Sequence, residues 1–127
     1  MNLEKIFKNI IIVNFLIYAF FISYGVFLSS EDTQIEETTF NASEIALLIV
    51  IFIHIINFHF LFKFKSIGKV LFIPLLLIIY ALSLSIPIED VRVDSHFEFL
   101  FDALSVMIEG GIIAMLYLTD IKNKFDK

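Results

Sequence analysis

The sequence predicts an all-α integral membrane protein, a bundle of four transmembrane helices with both termini on one side of the bilayer. Three observations carry that expectation. Hydrophobic side chains make up 59% of only 127 residues, with a mean hydropathy of +0.91, whereas soluble domains hold roughly 45–50% apolar residues. A globule this small has too little interior for such an excess, so the surplus faces lipid. Four apolar stretches, 6–28, 45–62, 70–86 and 97–119, each approach the ~20 residues that cross a ~30 Å hydrocarbon core. The lysines, finally, segregate to one side of the membrane once those stretches are drawn as spans.

The spans must be helices, because every backbone amide in hydrocarbon needs an internal partner. Runs such as Ile45 to Ile53 and Val70 to Leu77 do not alternate as barrel strands do. The first stretch follows Lys5 and Lys8 as a signal peptide would, but it outruns the ~7–15 apolar residues of a secretory core and is read as a retained helix. The third is the shortest, and Pro74 near its start predicts a kink or a loose first turn. Between the spans lie an acidic loop at 29–43, a short basic loop at 63–69 and a second acidic loop at 87–96. None is long enough to fold separately, so 1–127 reads as a single domain.

Lys5, Lys8, Lys63, Lys65, Lys69, Lys122, Lys124 and Lys127 fall on one side and Arg92 on the other. The positive-inside rule then places both termini and the middle loop in the cytoplasm. Glu31, Asp32, Glu36, Glu37, Glu44, Glu89, Asp90, Asp94 and Glu98 gather toward the opposite face. That face attracts cations or a basic partner.

The fourth span holds the most informative pattern. Glu98, Asp102, Ser105 and Glu109 are spaced four, three and four apart, along one helical face. Glu109 lies ten residues before Thr119, about 15 Å at 1.5 Å per residue and so near the midplane. An ionised carboxylate at that depth is expensive, so the group is expected to face protein or water, to find a partner, or to stay protonated. His54 and Asn57 on the second span, and Asn14 on the first with Tyr18 a turn beyond it, are candidates for one buried polar cluster. For Asn14, Asn57 and Ser105 the ordinary role is interhelical hydrogen bonding. Gly110 and Ala114 form a small-xxx-small pair, expected to pack closely within the bundle or between subunits.

Other chemistry is unsupported by the residues. No cysteine is present, which removes disulfides, thiolate metal sites and a Cys nucleophile. His54 and His59 are five apart, on different faces of a helix, so no metal site is expected. No GxSxG, P-loop, dinucleotide fingerprint or HExxH occurs, so neither an enzyme nor a cofactor is indicated. The few lysines are accounted for by topology, and nucleic acid is not an expected partner.

Four short-looped spans ending in the charged tail Asp120-Ile-Lys-Asn-Lys-Phe125 resemble small bacterial inner-membrane proteins. In architecture and composition the chain is similar to the multispan immunity proteins that protect cells from membrane-inserting toxins. The resemblance implies a non-enzymatic binding protein in the bacterial inner membrane, whose partners are the bilayer and a toxin. Two other functions fit the residues: a proton or cation pathway through Glu109, with Glu98 and Asp102 as its outer funnel, and an accessory subunit of a larger membrane complex or a homo-oligomer.

Overall fold

The computed structural model describes residues 2–31, 41–85 and 96–125, with the backbone alone at 24–31 and 96–99. It is an all-α bundle of α1 (Leu3–Glu31), α2 (Ala42–Phe62), α3 (Ser66–Ser83) and α4 (His96–Leu118), closed by a short 3-10 helix (Asp120–Lys124). All four helices are long and apolar enough to cross a membrane, as expected of a multi-pass membrane protein. Only 22–28% of the positions in each spanning window are buried. Large apolar side chains such as Phe52, Val70, Leu77 and Leu104 therefore point outward, which suits hydrocarbon and not water.

α2 packs along α3 and α1 along α4. The α2–α3 connection is tighter than the sequence predicts. Phe64 N–H donates to Leu61 O at 3.0 Å and Lys65 N–H to Phe60 O at 2.9 Å, the paired bonds of a Schellman ending. Phe64 itself takes the left-handed conformation, φ 54°, usually left to glycine because a Cβ crowds the following carbonyl there. Its ring offsets that cost, stacking on Phe7 at 5.7 Å and meeting Phe125 edge-on at 5.3 Å. The basic loop thus shrinks to 63–65, and Ser66 to Lys69 become the first turn of α3. Pro74 is correspondingly the ninth residue of a helix that runs on through it, rather than part of a loose first turn.

Gly68 permits the close approach of the two helices. A Cβ there would lie 2.8 Å from Leu61 N and 3.0 Å from the Phe60 backbone. At the start of α2, the Asn41 N–H donates to Glu44 Oε2 at 3.0 Å, the return bond of a capping box. That cap starts the helix a turn before its apolar stretch.

The start of α1, the α2–α3 turn and the 3-10 helix share one end of the bundle, called here the terminal end. Glu4 joins Lys8 at 2.9 Å and Lys124 at 3.3 Å, bringing the start of α1 to the 3-10 helix. The core lies in this half, where Phe7, Phe58, Leu61, Phe72, Ile112, Leu116 and Phe125 are almost wholly buried. Toward the far end, α1 and α4 are clasped by Phe20 and Phe21 against the Phe101 ring at 5.4 and 5.9 Å.

Candidate functional site

Above the apolar core, the packed faces of three helices turn polar around one carboxylate. Glu109 is 3% exposed in the middle of α4. The Tyr18 hydroxyl of α1 donates to its Oε1 at 2.6 Å and the Tyr80 hydroxyl of α3 to its Oε2 at 2.7 Å. Bonds of that length are close O–H···O hydrogen bonds. Ser105, one turn before Glu109, reaches Oε1 only at 3.5 Å, at the outer limit of a hydrogen bond. Every lysine among the described residues lies toward the terminal end, in the first two turns of α1, in 63–69 or in the 3-10 helix. The two tyrosines are thus Glu109's close partners, and no described side chain supplies it with a positive charge.

A half-open cavity of about 350 Å³ occupies the far half of the bundle beside this cluster. Tyr18, Tyr80, Ser105, Ser83 and Asp102 give it its polar lining, and Phe21, Ile22, Ile51, Ile79 and Val106 its apolar walls. Glu109 sits behind the tyrosines. Asp102 is exposed, one helical turn before Ser105, so the cavity meets a second carboxylate at its rim. The side chain of Glu98, in the first turn of α4, lies outside the described residues, as do Asp32, Glu36, Glu37, Glu89, Asp90, Asp94 and Arg92.

The remaining polar residues are buried but do not join the carboxylate. Asn57 donates through Nδ2 to the Gly68 carbonyl at 3.1 Å, leaving its Oδ1 without a partner. It pins α2 to α3 at their point of closest approach, which is hydrogen-bonding glue. His54 is fully buried with neither ring nitrogen hydrogen-bonded, against Phe58 at 4.7 Å, Phe72 at 5.3 Å and Tyr18 at 5.4 Å. Asn14 is likewise fully buried, with both amide atoms unpaired. Of the expected cluster only Tyr18 meets Glu109, while His54, Asn57 and Asn14 do not, and the second close partner is Tyr80, which sequence reasoning missed. A tyrosine close to a span end reads as an interfacial anchor, and nothing in the sequence aims it at α4.

Gly110 and Gly111 have open space where a Cβ would go, and Gly110 is exposed. The small-residue pair Gly110 and Ala114 thus serves no close packing between helices of this chain at the glycine. No three His, Asp or Glu side chains gather as a metal site among the described residues. No family model, curated protein or solved structure matches this chain.

Proposed function

We propose that this chain is a non-enzymatic binding protein of the bacterial inner membrane that receives part of a membrane-embedded partner in the cavity beside Glu109. A membrane-inserting toxin is the partner in the most concrete version, with the chain acting as its immunity protein. The observation that carries the binding reading is the shape of the cavity, apolar-walled with a few polar groups. It is half-open in the far half of the bundle and backed by the packed core of Phe7, Phe58, Phe72, Leu116 and Phe125 in the terminal half. A pocket closed on one side by packed core holds a group rather than passing one through. The lysine asymmetry supports an orientation with the termini cytoplasmic and the cavity in the outer half, where an arriving toxin is met.

A cation or proton pathway is the second reading, favoured by the midspan position of Glu109. It requires the apolar core to open, and flux under an imposed gradient in reconstituted vesicles tests it. An accessory role in a larger complex draws on no particular contact. The immunity reading is tested by expressing the chain in a sensitive host and challenging with the toxin encoded beside its gene. Survival with the wild type, lost in Glu109→Gln at equal membrane abundance, supports it. Survival no better than empty vector, or no toxin gene in the neighbourhood, contradicts it.

A further inference from the structure

We infer that the cavity beside Glu109 selects a hydrogen-bond-donating cation, a primary ammonium or guanidinium group such as a lysine or arginine side chain carries. The inference rests on the binding reading and names the chemistry of what is bound. It follows from where the hydroxyl hydrogens go. Tyr18 and Tyr80 spend theirs on the Glu109 carboxylate, at 2.6 and 2.7 Å. Ser83 gives its hydrogen to the Ile79 carbonyl at 2.9 Å, and a carbonyl only accepts. What these three residues have left to offer the cavity is oxygen lone pairs.

Asp102 adds a carboxylate, which when ionised is an acceptor only. Glu109 behind the tyrosines polarises both hydroxyls and makes their oxygens better acceptors. The polar part of a mainly apolar lining is thus weighted toward acceptors, Ser105 being the one hydroxyl held by no close bond, and no cation among the described residues faces it. A carboxylate or phosphate would meet repulsion there, and a neutral alcohol would leave the carboxylate charge unanswered. A quaternary ammonium would satisfy the charge but none of the acceptors. An ammonium or guanidinium satisfies both, and its alkyl stem packs on Ile22, Ile79 and Val106 as long cationic side chains do on apolar surface. The cavity, about 350 Å³, is larger than a single such side chain.

The test is calorimetric titration of the purified, detergent-solubilised chain with n-butylammonium, n-propylguanidinium, tetramethylammonium and butyrate. The first two are expected to bind saturably, tetramethylammonium at least about tenfold more weakly because it leaves the acceptors unpaired, and butyrate not at all. Asp102→Asn, at an exposed position where folding is insensitive, should weaken butylammonium severalfold. Equal binding of butylammonium and tetramethylammonium overturns the donor requirement, and failure of both amines to bind overturns the inference. Neither failure touches the toxin-challenge result. A chain that binds butylammonium yet protects no cell overturns the partner reading instead.

Discussion

Tyr80 near the end of α3 and Glu109 in the middle of α4 are joined by a 2.7 Å hydrogen bond, and Tyr18 of α1 takes the other carboxylate oxygen at 2.6 Å. The bond ties two helices that belong to different packed pairs, since α2 runs against α3 and α1 against α4. Tyr80→Phe therefore removes a tie between the pairs and leaves a buried carboxylate oxygen unpaired. A loss of about 1–3 kcal/mol is expected, read as a lower unfolding midpoint in detergent. Tyr18→Phe should cost a similar amount. The double variant should depart from the sum, because both tyrosines act on one group.

Glycine substitutions separate packing from exposure. Gly68→Ala drives a methyl group into the α2 backbone at 2.8–3.0 Å, where no flexible side chain can give way. It should cost about 1–3 kcal/mol and disturb the Asn57 bond to the Gly68 carbonyl. Gly110→Ala and Gly111→Ala meet nothing, and each should be neutral or stabilising by up to about 1 kcal/mol through helix propensity. Thermal unfolding of the three purified variants checks the order. A destabilised Gly110→Ala would show that this face packs against another chain.

His54 is buried among three aromatic rings with both nitrogens unpaired. His54→Phe removes that polar burden at little change in shape and should leave stability unchanged or raise it by about 1–3 kcal/mol. A marked loss of stability would mean that the imidazole is hydrogen-bonded in the bilayer.

Much of this architecture is legible in the sequence, because four apolar runs of spanning length have no other stable form. Helix ends are less legible. Hydropathy marks the part of a helix inside lipid, so it misses the polar first turn of α3 from Ser66 to Lys69 and the capped start of α2. Glu109 stands out by its depth and by its place in the spaced polar row of the fourth span. Its partners do not, since pairing Tyr80 with it needs the rotation of α3 against α4, which periodicity does not contain. Gly68 is hidden for a similar reason: a lone glycine acquires meaning only from the neighbouring backbone.

The orientation has its own test. Reporters fused after Lys65 and Lys127 should respond as cytoplasmic, and one inserted near Glu37 as exterior, as the lysine distribution requires. A cytoplasmic Glu37 would turn the cavity toward the cell interior and end the proposal that it meets an arriving toxin.

The central claim is that Glu109 and its two tyrosines form a binding site and not merely helix packing. Titration of wild type and Glu109→Gln with n-butylammonium, with unfolding midpoints measured on the same preparations, tests it most directly. The amide keeps nearly the same volume and can still accept from one tyrosine, so the variant should fold and insert. It lacks the charge, and saturable binding should be lost or reduced by at least about tenfold. A Glu109→Gln chain that binds butylammonium as the wild type does would contradict the claim and leave Glu109 as a structural tie between helices.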